Sequence, residues 1–142
     1  MKTVYTYGAF DLFHSGHVQL LKEAKALGDF LIVGVFTDDV VEGFKRRPMI
    51  EHEHRVAVIE ALSFVDKVVT QDELHPDKNI LLHKPHILAK GPGAGWEEGD
   101  GKAPGADAME SIGGIVVKLS YHHGISTSQI IKKIQESSAV LA

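Results

Sequence analysis

Apolar residues along this chain recur with two periods that take turns. Lys2–Tyr7 is short, β-branched and aromatic, and Gly8 ends it, which predicts a strand. Ser15–Leu27 places Val18, Leu20, Leu21, Ala24 and Leu27 at helical spacing, with Gly28 as a C-cap. Phe30–Phe36 is a near-continuous apolar run, the pattern of a strand covered on both faces. Thr37, Asp38 and Asp39 can cap a short helix. Glu51–Leu62 carries Val56, Val58, Ile59 and Leu62 at the period of a longer helix. The same reading predicts a strand at Val65–Thr70, a helix at Asp77–His83 after Pro76, and a strand at His86–Ala89. A weakly patterned helix follows at Asp107–Ile112, then a strand at Ile115–Leu119 and a last helix at Ser126–Glu136.

Strands alternating with helices through short loops predict an α/β fold, a parallel sheet covered on both faces. Such sheets bind ligands beyond the carboxyl ends of their strands. The loops that matter are therefore Gly8–His14, Thr37–Arg47, Thr70–Asp77, Lys90–Pro104 and Ser120–Ser126. The fourth is long and rich in glycine, which suits a binding loop or a lid.

Composition narrows the class. A chain of 142 residues is one domain's worth, with 44% apolar and 24% charged residues, which excludes disorder and coiled coils. The apolar runs fall well short of the roughly 20 residues of a membrane span. The N-terminus lacks a basic segment followed by an apolar core, so no signal peptide is expected. The absence of cysteine excludes disulfides, thiolate zinc sites and cysteine nucleophiles, and fits a cytoplasmic protein. A net charge of -4 argues against a nucleic-acid binder, and no membrane partner is expected. A small anionic ligand responds to local charge instead.

The loops carry residues suited to phosphate. His14 and His17 are three apart and straddle the predicted start of the first helix, where free N–H groups and the helix dipole favour anions. Two imidazoles there can donate hydrogen bonds to a phosphoryl group as charge builds up in a transition state. The competing readings are a cap with a packed helix residue, and a metal pair. Gly16 between them allows close backbone approach. Lys45, Arg46 and Arg47 follow in the next loop, and Arg55 opens the second long helix. Such cations grip polyphosphate oxygens or stay solvated. Ser126, Thr127 and Ser128 open the last helix after Gly124 and Ile125, as further phosphate donors or as simple N-caps. His52 and His54 lack an obvious third ligand and read as surface or interface residues.

Two of these stretches carry a family resemblance. Gly8-x-Phe10-Asp11-x-x-His14-x-Gly16-His17 and Gly124-Ile125-Ser126-Thr127 resemble the two signatures of the cytidylyltransferase-like nucleotidyltransferases. Leu27–Val35, Glu53-His54-Arg55 and Val65–Val69 resemble the sections between them, in the expected order. The resemblance runs from about Lys2 to Ile134. It implies a Rossmann-like parallel five-stranded sheet with helices on both faces. It also implies transfer of a nucleotidyl group from a nucleoside triphosphate to a small anionic acceptor, with Mg2+ on the triphosphate and a homodimer as the assembly.

The resemblance also distributes roles. His14, His17 and Lys45 would act on the reacting phosphates. Gly8, Ala9, Phe10, Gly16, Arg55, Lys90, Ser126 and Thr127 would bind the nucleotide. Asp11, Arg46, Trp96, Tyr121 and His122 would face the acceptor, with Asp11 orienting its loop rather than acting as a base. No residue is assigned to a protein-held metal.

Two departures bear on the substrates. Members acting on glycerol phosphate often carry Arg three residues before the last Gly-Ile-Ser-Thr, where this chain has Tyr121, as in members acting on aminoethylphosphonate. Many cytidylyltransferases read Gly-Asp-Asp-Trp after the fourth strand, where this chain reads Lys90-Gly91 and then Trp96. That Lys-Gly pair resembles the sugar-phosphate adenylyltransferases of heptose activation. Phe44–Pro48 and Tyr121 resemble the cytidylyl branch, and so the sequence favours CTP. ATP-dependent adenylyl transfer to a sugar phosphate is the alternative, followed by a nucleotide-binding module without catalysis.

Overall fold

The apolar run at residues 30–36 forms the interior of the sheet, and the rest of the fold is arranged around it. A computed structural model of the protein describes residues 1–91, 102–120 and 124–141. Its strands are β1 (Thr3–Gly8), β2 (Phe30–Phe36), β3 (Lys67–Gln71), β4 (Ile87–Lys90) and β5 (Ile115–Lys118). Its helices are α1 (Ser15–Ala26), α2 (Asp38–Phe44), α3 (His52–Glu60), α4 (Asp77–His83), α5 (Ala106–Ser111) and α6 (Thr127–Leu141). The five strands are all parallel, in the order β3-β2-β1-β4-β5. This is the expected Rossmann-like α/β architecture.

Two apolar clusters flank the sheet, and strand alternation divides the residues between them. One gathers Val4, Leu21, Leu31, Val33, Val35 and Ile59. The other gathers Tyr5, Ile32, Ile80, Leu88 and Met109. Adjacent strand residues point to opposite faces, so Val4 and Tyr5 enter different clusters. Helices α1 and α3 supply Leu21 and Ile59 to the first, and α4 and α5 supply Ile80 and Met109 to the second. No described helix is long and apolar enough to cross a membrane.

Three expectations shift. Strand β3 begins at Lys67 rather than Val65, because Val65 closes a turn onto the Leu62 carbonyl. Asp66 just before it is tied by its carboxylate to Leu31 N (2.8 Å) and Lys25 Nζ (2.6 Å). Helix α6 continues to Leu141, since no Gly or Pro interrupts the residues after Glu136. Helix α3 turns Arg55 and Ile59 inward, while Val58 is exposed. An arginine thus occupies one of the two most buried positions of that helix.

Candidate active site

The sheet reverses its strand order between β1 and β4, so the connections leaving them diverge and open a crevice at their carboxyl ends. A cavity of about 650 Å³ lies there. Its polar lining includes Asp11, His14, His17, Lys45, His75, Lys90, Ser126, Thr127 and Ser128. Tyr7, Phe36, Phe44 and Leu74 provide much of its apolar lining. Gly8, Ala9, Phe10, Gly16 and Gly91 bring backbone to the same space.

The loop after β1 holds an unusual backbone. Phe10 (φ 54°) and Leu12 (φ 49°) both lie in the left-handed region, which is costly for residues with side chains. The buried residue between them offsets that cost. The Asp11 carboxylate accepts Met49 N–H at 2.8 Å and Ile50 N–H at 2.9 Å. Its carbonyl accepts the Thr127 hydroxyl at 2.8 Å. Asp11 therefore joins the β1–α1 loop, the segment before α3 and the start of α6. This commits the carboxylate to the loop rather than to an acceptor. Phe10 is buried in the core, so what it offers the cavity is limited by that packing.

The two histidines cap α1 reciprocally. His14 is the N-cap residue, and its Nδ1 accepts Gly16 N–H at 3.1 Å. His17 Nδ1 accepts the backbone N–H of His14 at 3.1 Å. The rings stack with centroids 3.8 Å apart. A Cβ on Gly16 would come within 2.9 Å of the His14 ring, so glycine makes room for the imidazole itself. An accepting Nδ1 carries no proton, so each neutral ring bears its proton on Nε2. Burial lowers the pKa of both rings. His17 falls to about 3, through desolvation first and then the charges of His14 and Lys45, with Asp11 opposing. At neutral pH the site thus presents two uncharged Nε2–H donors of fixed tautomer. They are suited to hydrogen-bonding a phosphoryl oxygen rather than to proton transfer.

The cations divide. Lys45 lines the cavity with its side chain partly open to solvent; desolvation and the neighbouring Arg46 lower its pKa, against the pull of Asp11. Arg46 lies 3.6 Å from Asp11, and both of its terminal nitrogens are buried without a hydrogen-bond partner. Orphaned guanidinium donors beside a fully engaged carboxylate suit an anion. Arg55 does not line the cavity. Its side chain is 0% exposed and binds Asp38 (2.6 Å), the Ala9 carbonyl (2.7 Å) and the Ile50 carbonyl (2.8 Å). The expected nucleotide ligand is instead a clamp between the loops on either side of the site. Lys90 is buried, with Nζ donating to the Gly91 carbonyl at 3.0 Å and lying 5.5 Å from the Tyr7 ring centroid.

At the start of α6, the Thr127 hydroxyl proton is directed to Asp11. The Ser126 hydroxyl oxygen accepts Gln129 N–H at 3.1 Å and so keeps its own proton for a ligand. Both residues were expected to hold phosphate by their hydroxyls; only Ser126 retains that capacity fully. Trp96, Tyr121 and His122 lie outside the described residues. Sequence reasoning missed Asp38, the partner of Arg55, and the apolar lining by Tyr7, Phe36, Phe44 and Leu74. Among the described residues no three His, Asp or Glu side chains gather as a metal cage.

The sequence matches the cytidylyltransferase-like family over residues 5–133. The chain belongs to that family. It is 41% identical over 137 residues to the bifunctional protein HldE of Pelobacter propionicus, and 44% identical over 138 residues to that of Citrifermentans bemidjiense. Those matches cover 95% and 96% of this chain but 27% and 28% of the relatives, so the chain spans little more than a quarter of their length. Among solved structures, a lipopolysaccharide core biosynthesis protein from Thermoplasma volcanium GSS1 superposes with a TM-score of 0.73 at 30% identity. The match covers 86% of this chain and 98% of that one. The cytidylyltransferase-like fold thus extends over nearly the whole sequence, and the stacked histidines and the start of α6 fall within the matched span. The chain is a nucleotidyltransferase-type domain.

Proposed function

We propose that this domain transfers an adenylyl group from ATP to the phosphate of a small sugar phosphate and releases pyrophosphate. An acceptor phosphate oxygen attacks the α-phosphorus, and the bond from that phosphorus to the α–β bridging oxygen breaks. The electron pair leaves with pyrophosphate. Negative charge concentrates on the oxygens of the α-phosphate, so catalysis rests on positioning and charge stabilisation. The observation that carries this reading is the pair of neutral, tautomer-fixed imidazoles above the start of α1. Their Nε2–H groups donate to the α-phosphate as charge builds up, without a change of protonation. Lys45 supplies positive charge to the acceptor and leaving phosphates, and the charge of the neighbouring Arg46, which does not line the cavity, adds to it. Ser126 and the α6 N-terminus meet the β- and γ-phosphates. Mg2+, bound to the triphosphate, would screen its charge.

The choice of ATP over the CTP that the sequence favours rests on two supports. The relatives matched over nearly all of this chain are bifunctional HldE proteins. The Lys90-Gly91 pair, which resembles the heptose-activating adenylyltransferases, closes β4 at the cavity. Phe44–Pro48 and Tyr121 remain on the side of CTP. Pyrophosphate release tests the choice, with Mg2+, each triphosphate in turn, and heptose phosphate, glycerol phosphate, ethanolamine phosphate and aminoethylphosphonate as acceptors. ATP-specific release with the sugar phosphate is expected. CTP-specific release with any acceptor overturns the assignment.

A further inference from the structure

Outside the site, two buried amide side chains, those of Gln71 and Asn79, converge on one hydroxyl. Tyr5 is fully buried in β1, and its hydroxyl donates to Gln71 Oε1 at 2.6 Å and accepts from Asn79 Nδ2 at 3.0 Å. Asn79 Nδ2 also donates to the Thr70 carbonyl at 3.0 Å. Gln71 Nε2 donates onward to the carbonyls of Glu73 (3.1 Å) and Leu74 (3.4 Å). Burial raises the Tyr5 pKa, so its proton stays in place.

Tyr5 and Gln71 stand on strands separated by β2, and a side chain on β2 would block their contact. The residue there is Gly34. A Cβ on it would overlap the Tyr5 hydroxyl, lie 2.8 Å from Tyr5 Cζ and lie 3.1 Å from Gln71 Oε1. Glycine inside a strand weakens it and marks a close approach. Here the approach is Tyr5 crossing β2 to reach Gln71.

The crossing ends at the β3–α4 connection. Residues 72–75 are all exposed, so no core packing fixes their course. The Gln71 amide holds their carbonyls from the β3 side, and Asn79 ties α4 to the end of β3. Leu74 and His75 of this connection line the cavity. They enter it from the β2–β3 half of the sheet. On the adenylyl-transfer reading, the α1 and α6 starts and Lys90 take the phosphates and the nucleotide around β1 and β4, which leaves the β2–β3 half for the acceptor.

We propose that Gln71, braced by Tyr5 and Asn79 across Gly34, is a positioning residue that sets Leu74 and His75 against the acceptor and so governs acceptor choice. This rests on the adenylyl-transfer reading above. The test uses Gln71→Met, which keeps the side-chain length and removes every hydrogen bond, with Tyr5→Phe beside it. In Gln71→Met the KM for sugar phosphate rises about tenfold, while kcat and the KM for ATP stay within about twofold. Tyr5→Phe moves the same constant by a smaller factor, because Gln71 keeps its contacts to the loop. The Leu74 methyl signals in a carbon–proton NMR spectrum shift in both variants, and those of Ile125 at the α6 start do not. Equal rises in the two KM values, or unmoved Leu74 signals, overturn the proposal. If Gln71→Met does not fold, Tyr5→Phe decides by the same two readouts. Absence of turnover by the unaltered protein with every acceptor overturns the transfer reading and the acceptor assignment with it. The Leu74 signals then still decide whether the relay sets the loop.

Discussion

Two helices of this molecule begin with paired histidines, and the pairs have different fates. At α1 the spacing is three, so His14 and His17 meet on one side of the first turn and stack. At α3 the spacing is two, which places His52 and His54 on different sides of the helix. His54 is 69% exposed beside Glu53, and His52 lies 3.4 Å from the Thr70 hydroxyl. The backbone differs as much as the spacing. In α1 each ring accepts a main-chain N–H, whereas the α3 N-cap, Glu51, makes no side-chain cap hydrogen bond. The side chains are the same in both places. What makes one pair a candidate site is the main-chain donor that fixes each ring's tautomer, together with the burial that keeps it neutral.

The largest test of that contrast is removal of the stacked pair. His17→Ala and His14→Ala are each expected to lower kcat by about 10²–10³-fold, the scale of losing one transition-state donor. Each also loses part of the α1 cap, at about 1 kcal/mol of stability. Steady-state kinetics and a thermal melt on the same samples check both. Normal turnover in both variants would mean that the capped pair is only a cap.

Acid should weaken what the stacked pair contributes by a smaller margin. The unfolded chain protonates its histidines near pH 6.5, while folded His17 resists protonation down to about 3. Protons therefore favour the unfolded state below about pH 6.5. The stability contributed by the neutral ring is full above that value and is lost as pH falls towards 3. His14 adds in the same direction. Denaturant midpoints between pH 7 and 4 should fall less steeply for His17→Asn than for the unaltered protein. An unchanged slope in His17→Asn would mean that burial of the ring does not keep it neutral.

The smallest effect completes the comparison. His52→Ala and His54→Ala are expected to change kcat/KM by less than about twofold and stability by less than about 0.5 kcal/mol, as positions outside the core usually do. A tenfold loss of activity in either would show that α3 contributes to the site through its histidines.

Local signals in the sequence were strong where one element decided the outcome. The apolar run of β2 and the Pro76 start of α4 mark those elements with the observed bounds. The histidine spacing, Lys45, Lys90 and the hydroxyls before α6 were legible as a group, and all of them line one cavity. Arg55 was misread because an arginine beside acidic and histidine residues looks like a solvated or ligand-binding cation. Its partners, Asp38 and the carbonyls of Ala9 and Ile50, are brought to it only by the fold. The Tyr5–Gln71 contact joins residues 66 apart, and no local pattern announces it. Its one visible trace is Gly34, an interruption in an otherwise apolar strand. The nucleotide preference was read from short motifs on different branches of one family, and those motifs disagree.

The hydrogen bond from Thr127 to the Asp11 carbonyl closes a loop of 116 residues. Contacts of such long range form after the entropy of closing the chain between them has been overcome. On the ribosome, α6 emerges more than a hundred residues after His14 and His17. The strained loop after β1 must wait for that last helix before its carbonyl has a partner. A nascent chain can therefore assemble most of its sheet while its anion site is still open, and the site is completed only once α6 has emerged.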